Sequence, residues 1–168
     1  MEVRAERSDD EDAIANVVCA AFGKEREARM IDAIRRSEGF VPSLSLVAEH
    51  EGEIVGQALF SYVALASSSR RLLELGPISV RPDRQREGIG GLLIREGIAR
   101  AEELEEPIVL VLGHPDYYPR FGFEPASGFG LFPSDPNIPD EAFMAMPLKR
   151  YDPEIGGRVI FPAAYFID

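Results

Sequence analysis

The run Gln85-Arg86-Glu87-Gly88-Ile89-Gly90-Gly91 contains the residue types that bind a phosphate group. The first turn of a helix leaves backbone N–H groups without intrahelical acceptors, and the peptide dipoles place partial positive charge there. Glycine has no Cβ, so an anion can approach those N–H groups closely. Arg81, Arg84 and Arg86 add long-range attraction for negative charge. The run therefore predicts a phosphate or diphosphate site at the start of a helix.

Two common phosphate-binding motifs are excluded here. A P-loop ends in Gly-Lys-Ser/Thr, and the dinucleotide fingerprint requires Gly-x-Gly-x-x-Gly directly after a strand, with an acidic residue about twenty positions later. The sequence instead has Gln-x-x-Gly-x-Gly, preceded by Ile78-Ser79-Val80-Arg81. Close packing of a helix on a strand is the alternative explanation for such glycines.

The glycine-rich run lies between a predicted strand and a predicted helix. The segment from Leu72 to Val80 is apolar enough for a strand, and the segment from Ile89 to about Glu103 has helical periodicity. Ile108 to Leu112 is apolar at every position, which indicates a strand covered on both faces and reached by a helical crossover. On the helix, the residues predicted to face the core are Leu92, Leu93, Ile98 and Ala101.

The rest of the chain predicts a mixed α/β domain around one twisted sheet, with helices on both faces. An N-terminal strand is followed by two helices, one ending at Gly23 and one over 25–37. Strands over 44–50, 54–65 and 70–80 form an antiparallel meander, with a turn at Ser67-Ser68-Ser69, and two more strands cover 123–126 and 142–148. We expect one domain over 1–168, with a core at about 2–150. The extension 151–168 packs either on that core or on a second subunit, which would make a homodimer.

Composition excludes several classes of function. With one cysteine and two histidines there is neither an internal disulfide nor a zinc site, so we expect no metal. The charged N-terminus and the lack of a long apolar run predict a cytoplasmic protein that does not bind membranes. The net charge of −11 argues against nucleic acid and favours a cationic partner.

The glycine-rich run resembles the acetyl-CoA diphosphate loop of the GNAT superfamily of N-acetyltransferases. About thirty residues later, Tyr118-Pro119-Arg120-Phe121-Gly122-Phe123 resembles the family's Tyr-x-x-x-Gly-Phe segment. The order of predicted elements over residues 2–150 is also similar to the GNAT fold.

This resemblance implies transfer of acetyl from acetyl-CoA to a primary amine of a small molecule or peptide, by direct attack in a ternary complex. The parallel strands around Ile78 and Ile108–Leu112 would separate, and the pantetheine arm would lie between them. A non-catalytic module that binds or senses acyl-CoA is the alternative. The residues implied in binding the cosubstrate are Ile78, Ser79, Val80, Arg81, Gln85, Arg86, Glu87, Gly88, Ile89, Gly90, Gly91, Tyr117 and Arg120.

Tyr118 occupies the position at which the family carries the acid that protonates the leaving thiolate. A tyrosine hydroxyl has an ordinary pKa near 10, so it keeps its proton at neutral pH. Tyr117 is the neighbouring alternative, and His114 is a third candidate. An aromatic side chain that only packs in the core is the structural explanation for Tyr118.

Glu74 lies eleven residues before Gln85, the offset at which histone-acetylating relatives carry the general base. Uninterrupted strand alternation places Glu74 on the same face as Ile78 and Val80. A chain of water molecules is the alternative base. The acceptor itself has no recognisable code in the expected walls of its cleft, residues 22–40 and 127–140. Acidic side chains there and just beyond that would suit a cation include Glu25, Glu27, Asp135, Asp140 and Glu141.

Overall fold

The computed structural model describes residues 1–66 and 68–168, so one residue of the predicted turn, Ser67, lies outside the described part. Within the described residues, nine strands form one mixed sheet with the main order β1-β2-β3-β4-β5-β8-β6, while β9 pairs with β3 and β7. The elements are β1 Glu2–Ala5, α1 Glu11–Phe22, α2 Arg26–Arg35, β2 Phe40–His50, β3 Glu53–Leu65, β4 Arg71–Val80, α3 Ile89–Glu103, β5 Ile108–Leu112, β6 Glu124–Pro125, β7 Leu131–Pro133, β8 Phe143–Pro147 and β9 Gly157–Ile160.

The helices cover opposite faces of the sheet, which confirms the predicted mixed α/β class. Helix α3 packs on one face, where Leu93 and Ile94 contact the central strands. Helices α1 and α2 pack on the other face through Ile14, Val18 and Ile34. None of the described helices is long and apolar enough to cross a membrane.

One of the predicted core residues of α3 was wrong. Leu92 is 44% exposed, because the buried stripe of the helix recurs every four residues at Ile89, Leu93, Gly97 and Ala101. Gly97 belongs to this stripe because the ring of Phe60 on β3 occupies the space in which a Cβ would lie.

Strands β4 and β5 pair in parallel over a short distance only. Leu73, Glu74 and Leu75 pair with residues 109–111, whereas β4 continues to Val80 along its other neighbour, β3. Within the described sheet, the β5-facing edge of β4 beyond Leu75 therefore has no strand beside it. This matches the predicted separation of the two parallel strands.

A β-bulge in β4 overturns the predicted face of Glu74. Phe60 pairs with Leu75 and Ala58 pairs with Ile78, so β4 contains one more residue than β3 at this point. One extra residue reverses the alternation of every side chain after it. Ile78 consequently packs into the α3 side of the sheet, with Leu75, whereas Glu74 lies on the opposite side.

The C-terminal extension packs on the core of the same chain. Strand β9 pairs with β3 and with β7, which lies inside the segment 127–140 expected to form a wall of the acceptor cleft. Val159 and Phe161 are buried, and a 3-10 turn over Ala163–Phe166 reaches α2. Of the two predicted locations, the structure therefore supports the core.

We expect Gly97→Ala to lower the free energy of unfolding by about 1–3 kcal/mol, because the new methyl group overlaps the ring of Phe60. The sign of this change in the free energy of unfolding is informative, because an unhindered Gly→Ala change inside a helix stabilises the folded protein by roughly 1 kcal/mol. Urea unfolding measures the effect. Gly128→Ala is the control, since nothing lies within 4 Å of its Cβ position. A more stable Gly97→Ala variant would contradict the close packing of α3.

Candidate active site

A cleft of about 850 Å³ opens at the N-terminus of α3, between the end of β4 and the turn over Tyr118–Phe121. We call it the loop cleft. Every predicted cosubstrate-binding residue except Arg81 and Glu87 lines it. These lining residues are Ile78, Ser79, Val80, Gln85, Arg86, Gly88, Ile89, Gly90, Gly91, Tyr117 and Arg120.

The backbone of the loop presents free N–H groups to this cleft. Arg86 and Gly88 have positive φ angles of 66° and 85°, and Gly88 is the N-cap residue of α3. Among the backbone hydrogen bonds of the described residues, none is donated by the N–H groups of Arg86, Gly88, Gly90 or Gly91. Several N–H groups at one helix start form an anion site without further charged groups.

The charges around the loop cleft are opposite in sign to those of the whole chain. Arg84, Arg86, Arg95 and Arg120 line it, and the described lining residues include no Asp or Glu. The chain as a whole carries a net charge of −11. A concentration of arginine in an acidic protein indicates an anionic ligand at this place.

Arg81 and Glu87 are not brought to the cleft. The Arg81 guanidinium pairs with Asp83 at 2.6 Å and with Glu53 at 3.1 Å, and its backbone N–H donates to the carbonyl of Val55. The Glu87 carboxylate accepts from Arg84 at 2.8 Å. The amide of Gln85, in turn, donates to the carbonyl of Val80 at 3.0 Å and fixes the loop to the end of β4.

The hydroxyl of Tyr117 lies at the mouth of α3. It is 2.7 Å from the position that a Cβ on Gly90 would occupy, so only glycine fits there without displacing the tyrosine. Burial raises the pKa of Tyr117, and the nearby charges of Arg120 and Arg95 oppose that shift. Tyr117 therefore lies at the α3 end of the loop cleft.

A second cleft, of about 520 Å³, lies at the carboxyl end of β5 and is lined by both Glu74 and Tyr118. We call it the strand cleft. It shares Phe22, Ile78 and His114 with the loop cleft, so the two adjoin at the free edge of β4. A group entering from one cleft can thus meet a group entering from the other.

Glu74 is a buried carboxyl group, only 3% exposed. Its Oε2 accepts from the Tyr165 hydroxyl at 2.6 Å. Burial raises the pKa of Glu74 to about 8, while the bonds from Tyr165 and from the backbone of Leu112 act in the opposite direction. A carboxyl group with a pKa near neutrality can exchange protons under physiological conditions.

Tyr118 is the second titratable group of the strand cleft. Its side chain is 7% exposed, and its ring packs edge-on against Tyr117 and Phe123, at centroid distances of 5.1 and 5.8 Å. Burial, with smaller contributions from Tyr117 and Glu74, raises the pKa of Tyr118 above its ordinary value. The hydroxyl therefore stays protonated throughout the physiological pH range.

Comparison with known proteins identifies the family. The model of the acetyltransferase (GNAT) domain matches residues 2–126. The uncharacterized N-acetyltransferase YjhQ of Escherichia coli K12 is 39% identical over 138 residues, which cover 81% of this chain and 76% of that protein. The chain belongs to the GNAT acetyltransferase family. The predicted family and enzyme class, an N-acetyltransferase, are confirmed.

Solved structures confirm the predicted GNAT fold. The crystal structure of YhbS, a GNAT N-acetyltransferase of E. coli in complex with CoA, superposes with a TM-score of 0.89 at 25% identity, covering 98% of this chain and 91% of that one. A GNAT acetyltransferase of Brucella melitensis in complex with acetyl-CoA gives a TM-score of 0.80 at 32% identity, covering 98% and 97%.

Several residues of this acetyltransferase's clefts were missed from the sequence. Arg95 lines the loop cleft, and Arg26 and Tyr165 line the strand cleft. Arg95 could have been found, since it lies just over one helical turn after Gly91. Tyr165 gave no signal, because it reaches Glu74 across 91 residues of sequence. Tyr165, rather than the expected segment 127–140, lines the strand cleft beside α2.

The pKa of Glu74 predicts a pH dependence of stability for the acetyltransferase. The pKa of Glu74 in the folded protein, about 8, is above its ordinary value of 4.5. The protonated carboxyl group therefore stabilises the fold fully below pH 4.5, and this stabilisation is lost as the pH rises towards 8. The variant Glu74→Gln has no ionisable group at this position. The free energy of unfolding of the wild type should therefore fall relative to that of Glu74→Gln, by roughly 1 kcal/mol for each pH unit between 5 and 8.

Urea unfolding of both proteins across this pH range measures the difference. Glu103→Gln, at an exposed position of α3, is the control and should follow the wild-type curve. Parallel curves for Glu74→Gln and the wild type would show that Glu74 ionises in the folded protein as it does in the unfolded chain.

Proposed function

We propose that this protein transfers the acetyl group of acetyl-CoA to a primary amine, by direct attack in a ternary complex. The observation that carries the proposal is the junction of two clefts at the free edge of β4, one cleft suited to an anion and the other containing two titratable groups. YhbS and the Brucella protein, both similar to this chain over nearly its whole length, were crystallised with CoA and acetyl-CoA.

The loop cleft fits the diphosphate of CoA. The N–H groups at the start of α3 and the side chains of Arg86 and Arg120 supply donors for phosphate oxygens, and Gly90 leaves room for them beside the Tyr117 hydroxyl. The edge of β4 at Ile78 and Val80 supplies backbone groups for the pantetheine arm. Hydrogen bonds to charged oxygens are worth about 1.5–3 kcal/mol each.

Acetyl-CoA supplies the acetyl group as a thioester, which the free amine attacks. The chain has two proton-transfer tasks, and the strand cleft contains one group for each. Glu74 takes the proton of the incoming ammonium group, and Tyr118 holds the proton that the departing thiolate requires. A positioned acid or base typically contributes a factor of about 10²–10⁴ in rate.

The acceptor enters through the strand cleft in this proposal. Phe22 and Met30 give that cleft an apolar wall, and Glu27 is the acidic residue that α2 contributes to it. Glu27 is 7% exposed, and its Oε2 is a buried oxygen without a hydrogen-bond partner among the described residues. Both a small molecule and the end of a peptide can place a cationic amine between this apolar wall and Glu27.

The function is tested by mixing the protein with acetyl-CoA and a panel of primary amines while free thiol is measured. We expect thiol release that depends on the amine, with one N-acetylated product for each thiol. Tight binding of CoA in calorimetry without thiol release from any amine would support the non-catalytic acyl-CoA module instead.

Gly90→Val should weaken CoA binding at least about tenfold in calorimetry, because its Cβ meets the Tyr117 hydroxyl and occupies the space in front of the N–H groups. Gly128→Val, at an exposed position with open space around it, should bind CoA as the wild type does. Circular dichroism verifies that both variants fold. Unchanged affinity of Gly90→Val would show that the phosphates bind elsewhere.

Tyr118→Phe should lower kcat by a factor of about 10²–10⁴ while the KM for acetyl-CoA changes little, because the lost hydroxyl acts on the leaving group. Tyr117→Phe removes a hydroxyl at the α3 end of the loop cleft, where the diphosphate is proposed to bind. It should therefore raise the KM for acetyl-CoA and leave kcat largely intact. Steady-state kinetics separate the two. A wild-type kcat for Tyr118→Phe would exclude it as the acid.

A further inference from the structure

The C-terminal turn over Ala163–Phe166 lies against the strand cleft, although it is outside the residues matched by the family model. The backbone carbonyl of Tyr165 accepts from Nη2 of Arg26 on α2 at 3.0 Å. The ring of Tyr165 stacks on Phe161, with a centroid distance of 5.3 Å and an interplanar angle of 28°. The backbone and the ring of Tyr165 are thus both fixed by neighbours.

The hydroxyl of Tyr165 connects two neighbouring strands. It donates to Oε2 of Glu74 on β4 at 2.6 Å and lies 3.1 Å from Oγ of Ser61 on β3. Ser61 and Glu74 are paired residues in the register of the two strands. Because the Tyr165 proton points to Glu74, the Ser61 hydroxyl donates to Tyr165 when Glu74 is ionised.

Few other groups act on the Glu74 carboxylate. The backbone of Leu112 at the end of β5 lowers the pKa of Glu74, and Tyr118 lies close enough to interact electrostatically. Arg26, Glu27 and His114 line the same cleft from α2 and from the segment after β5. Of these groups, only Tyr165 offers a side-chain hydrogen bond to Glu74 in the described structure.

We propose that Tyr165 is a positioning residue that holds the Glu74 carboxylate in the orientation required to accept the proton of the acceptor amine. This inference rests on the proposed function, in which Glu74 is the base. A hydrogen bond to the ionised form of a carboxyl group stabilises that form. Tyr165 therefore keeps more of Glu74 in the ionised, active form at neutral pH, and the C-terminal segment completes the acceptor side of the site.

The test compares Tyr165→Phe with the wild type across pH 6–10. Loss of the hydroxyl should move the acidic limb of the kcat/KM profile to higher pH by about one unit. At a given pH on that limb, kcat/KM should therefore fall about tenfold. The affinity for CoA should not change, because Tyr165 does not line the loop cleft. Tyr151→Phe, whose ring packs on Phe129, is the matched control and should keep the wild-type profile.

A double-variant cycle separates positioning from packing. In the Glu74→Gln background, Tyr165→Phe should have little further effect on the rate, because the group that it positions has been removed. A Tyr165→Phe variant that is less stable but keeps the wild-type acidic limb would overturn the inference, since Tyr165 would then contribute only to packing.

The two proposals can fail separately. If the wild type releases thiol but Tyr165→Phe leaves the limb unmoved, the acetyltransfer stands and the positioning role is wrong. If no amine yields thiol release, the proposed function fails and the role of Tyr165 in that reaction fails with it. The pH dependence of the unfolding free energy, measured for Tyr165→Phe, then still shows whether Tyr165 stabilises the ionised form of Glu74.

Discussion

The end of strand pairing between β4 and β5 at Leu75 is the constraint on which the rest of the site depends. An unpaired strand edge inside a sheet leaves backbone donors and acceptors that must be satisfied by a ligand or by water. The bulge after Leu75 turns Ile78 and Val80 towards α3 while Glu74 remains on the other face. One backbone irregularity thus gives the two clefts different walls and lets them meet at one place.

Electrostatics differ sharply between the two sides of this opening. The loop cleft combines free N–H groups with arginines in a chain whose net charge is −11. The strand cleft instead contains a buried carboxyl group whose pKa is raised to about 8 and a tyrosine whose pKa is raised above its ordinary value. An anion is therefore favoured on one side, and proton transfer near neutral pH on the other.

Much of the fold follows from local sequence patterns. The bounds of α3 agree with its periodicity, and α1 ends at Gly23, which adopts a left-handed φ of 73°. Most of the predicted loop residues line one cleft, because a glycine-rich helix start is a contiguous motif. Leu92 was misplaced because the helical pattern does not show that Gly97 packs against Phe60, which fixes the orientation of the helix. Arg81 and Glu87 do not line the loop cleft, because neighbouring charges of opposite sign pair with them.

The sequence by itself determined the family, the order of the main helices and strands and the glycine-rich start of α3, because each of these depends on residues close together along the chain. Only the tertiary structure decided the face of Glu74, since a single extra residue in β4 is visible only against its partner strand. It alone also brought Tyr165 to Glu74, across 91 residues. A contact of that separation is formed by the packing of the whole sheet, and no local pattern of residues specifies it.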